Sequence, residues 1–209
     1  GRQLVDSSAT PPNVPSIATT VRARPEAGFS IATYTSPNSS SDQNFGHGLN
    51  AKPDFALIKN RDTSYNWDIY HSSLGYNSSL IFTSAGTRSG AFSAEPTSFV
   101  VNTKTNYTHN GTDDYSALCW TAVEGYSAFG SYTGNGSGSA DGPFVFTGHR
   151  SRWIMIKRTD STGDWLIYDT ARDEINAATK RLYPNLSNAE ADASDQALDI
   201  LSNGFCIKG

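Results

Sequence analysis

Phe55-Ala56-Leu57-Ile58-Lys59, followed by Trp67-Asp68-Ile69-Tyr70, returns 98 residues later as Trp153-Ile154-Met155-Ile156-Lys157 and Trp165-Leu166-Ile167-Tyr168. Each first segment is a short apolar run bounded by polar residues, the mark of a strand buried on both faces or nearly so. Between the paired segments lie Asp62-Thr63-Ser64-Tyr65-Asn66 and Asp160-Ser161-Thr162-Gly163-Asp164. Asp and Asn bond their own backbone two residues on, so both stretches read as hairpin loops. Tyr34-Thr35 returns as Tyr132-Thr133 at the same offset, and Phe99-Val100-Val101 matches Phe205-Cys206-Ile207 after a longer insertion. A period near 100 residues is that of a duplicated domain rather than a solenoid.

The rest of the chain reads the same way. Residues 29–35, 79–83, 98–103, 115–123, 127–133 and 143–147 are further strand candidates, with turn residues between them. The expected fold is all-β: two tandem related antiparallel β-sandwich units of jelly-roll or lectin-like type, with little helix. The first copy covers residues 28–125 and the second 126–209, with residues 1–27 as an N-terminal linker or added strand. Two short helices are expected, one turn over 170–178 and two or three turns over 189–201, where Ser187 and Glu190 have capping-box spacing.

The second copy runs out near the position of Thr103, so nothing in it corresponds to the 115–123 strand. A sandwich short of one strand exposes a sheet edge. Three ways of closing it are open: residues beyond Gly209, a strand from a neighbouring subunit, or residues 16–24, which precede Gly28 much as the 115–123 strand precedes Gly125.

Composition narrows the function. The 209 residues include 27 Ser, 20 Thr, 15 Asn and 18 Gly, a turn-rich inventory, and carry a net charge of −4. With no dense Lys/Arg stretch, nucleic acid is excluded as an expected partner, because its binding rests on phosphate neutralisation. No apolar run approaches the roughly 20 residues of a membrane-spanning helix, so no membrane partner is expected. Cys119 and Cys206 read as two free thiols rather than a disulfide framework.

Cys119-Trp120-Thr121-Ala122-Val123-Glu124-Gly125-Tyr126, continuing to Gly136, then Asp141-Gly142-Pro143-Phe144-Val145-Phe146-Thr147-Gly148, resembles a domain of virion structural proteins of tailed phages, mostly aquatic ones. Lys157 to Asp169, Leu201-Ser202-Asn203-Gly204-Phe205 and Gly46-His47-Gly48-Leu49 with Pro53-Asp54-Phe55 fit the same pattern, so the likeness covers about 28–209. It implies a tail-fibre or other appended virion protein. In that family a second copy usually closes with an aromatic-rich strand, and the resemblance brings no catalytic residues with it.

The residues themselves carry little catalytic signal. His47, His71, His109 and His149 show no zinc spacing, and His71 is replaced by Asp169 in the second copy. Gly134 to Gly142 lacks the Lys-Ser/Thr of a phosphate loop. No cofactor, metal site or catalytic residue is expected, and the protein is expected not to be an enzyme. Trp67 and Trp165, kept in both copies, read as packing residues. Copy-specific residues are the candidate ligand contacts: Tyr65, His71, Tyr76, Tyr107, His109, His149, Arg150 and Arg152. The expected role is host-surface attachment, with glycan as ligand, a homotrimer as the oligomer, other virion proteins as partners and the virion as location. A head-decoration or tail-adaptor protein and a glycan-degrading tailspike-type domain are the alternatives.

Overall fold

A computed structural model describes residues 2–3, 14–136, 142–192 and 194–208. Among the described residues the chain is all-β, with antiparallel sheets and only two single-turn 3-10 segments, Pro25–Ala27 and Ser194–Gln196. Its contacts divide it into two compact units, residues 1–82 with 87–123, and residues 83–86 with 124–209. No described helix is long and apolar enough to cross a membrane.

The first unit contains β1 (Arg2–Gln3), β2 (Thr19–Arg24), β3 (Phe29–Thr35), β4 (Gln43–Gly46), β5 (Phe55–Asn60), β6 (Trp67–His71), β7 (Ser78–Ile81), β8 (Thr87–Ser89), β9 (Val100–Thr103) and β10 (Asp114–Trp120). Eight of these form one sheet in the order β1-β2-β3-β10-β5-β6-β7-β8, and β4 pairs with β9 in a second. Both sheets feed one core: Ala32, Tyr34, Ala56, Ile58, Tyr70, Tyr115 and Ala117 come from the large sheet, Phe45 and Val101 from the small one. That two-layer packing is what period-two alternation demands when one face of each sheet is apolar.

Small residues make room for large ones. Ala117 lies opposite Ala32 on one side and Ile58 on the other, and Ala56 lies opposite Cys119. Over this alanine floor the Tyr34 ring stacks between Phe45, at 4.7 Å, and Tyr115, at 5.2 Å. Both cysteines are free thiols. Burial pushes the Cys119 thiol up to about 12, with a Ser30 hydrogen bond opposing, so it is an unreactive packing group.

Gly28 turns the chain from the 3-10 turn into β3 with φ of +63°, and a Cβ there would lie 2.4 Å from the Thr121 carbonyl oxygen. Left-handed strain and a backbone clash act together. Gly28→Ala is therefore expected to cost about 2 kcal/mol, read as a lower thermal midpoint. An unchanged midpoint would refute the turn geometry.

The second unit contains β11 (Phe144–Phe146), β12 (Trp153–Lys157), β13 (Trp165–Asp169), β14 (Lys180–Arg181), β15 (Ala191–Asp192), β16 (Leu198–Leu201) and β17 (Gly204–Ile207). They form a β11-β17-β16 sheet and the pairs β12-β13 and β14-β15. Ile154, Tyr168, Ala178, Leu198, Ile200 and Phe205 make its core. The β12–β13 hairpin repeats the register of β5–β6: Lys59 lies opposite Trp67 and Lys157 opposite Trp165.

Four expectations are corrected. Residues 189–201 are not a helix but β15, a 3-10 turn and β16, because Leu198 and Ile200 alternate inward with period two. Residues 170–177 are turns, bends and irregular chain, and Ala178 bridges Leu198 of β16. Residues 127–133 form no extended strand, despite their likeness to β3. Residues 16–24 do not close the second unit: β2 pairs with β3 of the first, burying Ile17, Thr19 and Val21.

Candidate functional site

β3 alternates its residues between two faces. Ser30, Ala32 and Tyr34 point inward, while Ile31, Thr33 and Thr35 lie on the outer face. Pairing with β2 sets Thr20 opposite Thr33, and pairing with β10 sets Thr35 opposite Asp114. Arg61, just past β5, donates its backbone amide to the Asp114 carbonyl at 2.7 Å and so stands beside the same strand. Thr20, Thr33, Thr35, Arg61 and Asp114, with Ala18, line a shallow open groove of about 370 Å³.

The groove is polar and partly braced. The Thr35 hydroxyl donates to Asp114 Oδ1 at 2.6 Å, and the Asp114 amide donates to Asp62 Oδ2 at 2.6 Å. Asp114 is thus fixed in place while one carboxylate oxygen is spoken for by Thr35. Arg61 is exposed and makes no ion pair among the described residues. A fixed carboxylate, an unpaired guanidinium and threonine hydroxyls offer both acceptors and donors to a polyhydroxylated ligand.

None of the eight residues singled out from the sequence lines this groove. Tyr107 carries the Arg88 guanidinium 5.0 Å above its ring, and Arg88 in turn faces buried Asp68 at 3.2 Å. His109 is fully buried, held by the Thr103 hydroxyl at Nδ1 and the Thr105 hydroxyl at Nε2, both at 2.9 Å. It is a packing residue rather than a ligand contact, and burial holds its imidazole below the usual range. His71 accepts the Ser73 amide at Nδ1 and meets Phe55 edge-on. Burial lowers its pKa against the pull of Asp54.

Tyr76 belongs to a second polar centre. Its amide donates to Glu95 Oε1 at 2.8 Å, while Tyr70 Oη and Lys52 Nζ donate to Oε2 at 2.7 and 2.6 Å. Burial alone would raise the Glu95 pKa, but these three donors hold it below the ordinary carboxylate value. A carboxylate so engaged anchors the 91–97 loop to β6. Tyr65 is half exposed at 44%, and its carbonyl accepts Lys59 Nζ at 3.0 Å. His149 is half-buried with Nδ1 lacking a hydrogen-bond partner among the described residues, and Arg150 and Arg152 are exposed. These three lie in the second unit.

Among the described residues no three His, Cys, Asp or Glu side chains converge as a metal site. The groove residues were missed because Arg61 and Asp114 meet only through β5–β10 pairing. One signal was present: Arg61 is replaced by Thr159 at the matching position of the second hairpin.

A family model described as a domain of unknown function, DUF7483, matches residues 6–209. No curated protein and no solved structure matches the chain.

Proposed function

Since the chain belongs to the DUF7483 family, whose description assigns no activity, we propose from the geometry that it is a non-enzymatic attachment domain. Its ligand is host-surface carbohydrate, bound in the groove of the first unit, and its setting is an appendage of a tailed-phage virion. The observation that carries the reading is one open, threonine-lined groove whose lining includes Arg61, which makes no ion pair among the described residues, and the Asp114 carboxylate braced by Thr35. Sugars present adjacent hydroxyls, and acidic sugars add a carboxylate that suits a guanidinium. The resemblance to virion structural proteins supports the setting. A shallow groove binds weakly on its own, and a homotrimeric fibre would turn weak contacts into firm attachment through effective concentration.

The reading is tested with immobilised neutral and uronic-acid-bearing oligosaccharides. The chain is expected to bind the acidic set. Arg61→Ala and Asp114→Asn are expected to weaken binding by about tenfold each, the worth of one charge-assisted hydrogen bond, with little change in thermal midpoint, because Arg61 is exposed and the asparagine amide keeps the oxygen that accepts from Thr35. Release of shortened glycans would replace this reading with a glycan-degrading one. Binding to other virion proteins and to no glycan would make the domain an adaptor or decoration protein.

A further inference from the structure

The groove occupies one end of a longer face. Sheet register carries the same outward-facing rows on along β2, β3 and β10. Next to the groove stand Thr20, Thr33 and Ser116, then Arg22, Ile31 and Leu118, and last Arg24, Phe29 and Trp120. Every second residue of β3 and β10 is buried in the core, and none of these outward ones is. The chemistry changes along the face. Hydroxyls border the groove, and beyond them Ile31 is 42% exposed beside half-buried Leu118. At the far end the Trp120 ring lies 5.0 Å from Phe29 and 5.5 Å from buried Phe55, which fix the indole while leaving it partly open. Arg24 pairs with Glu26 at 2.5 Å, whereas exposed Arg22 makes no ion pair among the described residues.

We propose that the ligand of the groove is a linear acidic oligosaccharide lying along β10 from Asp114 to Trp120, with Arg22 taking a second carboxylate and Trp120 stacking on a sugar ring at the far end. This extended site rests on the carbohydrate reading of the groove and adds to it a length and two further contacts. Trp120 is six residues beyond Asp114 in β10, about 20 Å at ~3.4 Å per residue, which matches about four linked sugar rings. The rows that carry Arg61 and Arg22 cross β3 at Thr35 and Ile31, four residues or about 14 Å apart. Guanidinium groups on rows so spaced reach carboxylates on different sugar units, so a chain of acidic sugars suits them better than a single one. Pyranose rings carry C–H hydrogens on their faces and hydroxyls round the rim. The first suit the negative face of an indole and the apolar row, the second the threonine row. An extended peptide gains nothing comparable, because β3 and β10 are each hydrogen-bonded to a strand on both sides and offer no free main-chain edge.

Uronic-acid oligosaccharides of two, four and six rings, titrated into the isotope-labelled full chain, test the extended site. The dimer is expected to shift amides at 18–20, 33–35, 61 and 114. The tetramer should bind about tenfold more tightly or better, with added shifts at 22, 29–31 and 118–120, and the hexamer should gain little more. Trp120→Leu should bring the tetramer's affinity down to the dimer's and leave the dimer's unchanged. Arg22→Ala, at an exposed position where the fold is not at stake, should act in the same way, whereas Arg61→Ala weakens both. Equal affinity at all three lengths, with shifts confined to the groove, overturns the extended site and leaves the groove reading standing. An equal loss for dimer and tetramer in Arg22→Ala also overturns it. No binding at any length overturns both.

Discussion

Phe45→Ala is expected to lower the stability of the first unit by about 3–5 kcal/mol, the range for deleting a fully buried aromatic ring. Phe45 is 0% exposed and is the small sheet's main intrusion into the core. Its ring is one face of the Tyr34 stack, so truncation opens a cavity and removes an aromatic contact worth about 1 kcal/mol. The alanines beneath it, Ala32, Ala56 and Ala117, have no side-chain length with which to fill the hole. Urea unfolding followed through tyrosine and tryptophan signals reads the change. Tyr126→Ala, at a ring 72% exposed, is the control and should stay within about 0.5 kcal/mol of the parent. A loss below 1 kcal/mol at Phe45 would mean that β4–β9 does not pack on the large sheet.

Arg88→Met should cost a similar amount, but only where Asp68 is ionised. The Asp68 side chain is 2% exposed, with Arg88 Nε 3.2 Å from Oδ1, an ion-pair contact that lacks the alignment of a hydrogen bond. Burial raises its pKa from 3.8 to about 6, against the opposing pull of Arg88. A carboxyl whose folded pKa is raised holds its proton more tightly in the folded state. Its contribution is therefore fully present below pH 3.8 and is lost as pH rises through about 6. A shift of that size corresponds to about 3 kcal/mol. Glu95, held below its ordinary value, works in the opposite sense, being lost as pH falls. The difference between the parent and Asp68→Asn isolates Asp68 from such groups. Relative to that variant, the parent should lose stability between pH 4 and 7. Removing the guanidinium leaves a buried charge unpaired, which costs about 3–5 kcal/mol, so Arg88→Met should be severely destabilised at pH 7 and mildly at pH 4. Equal losses at both values would contradict a change in the charge of Asp68 between them.

The hairpins were legible because burial on both faces leaves an unbroken apolar run, and because the run occurs twice. β2 was harder. Thr19, Val21 and Ala23 do alternate with polar residues, but two arginines and a proline-rich lead-in give the segment the look of a linker. Residues 189–201 misled through local propensity, since Ala and Leu favour helix, while pairing with β17 drew Leu198–Leu201 into a strand. Residues 127–133 carry strand composition, yet they belong to none of the described sheets. The groove escaped notice for a related reason. Arg61 and Asp114 are 53 residues apart and are brought together by sheet register. His109 shows the opposite error: a residue peculiar to one copy marked a local packing solution between Thr103 and Thr105, not a ligand contact.

The central claim, that the β2–β3–β10 face of the first unit binds carbohydrate, is tested most directly by an amide-resolved titration of the labelled chain with uronic-acid oligosaccharides. The account predicts saturable shifts at residues 18–20, 33–35, 61 and 114, absent in Arg61→Ala. Shifts confined to other surfaces, or no shifts at millimolar sugar, would contradict it.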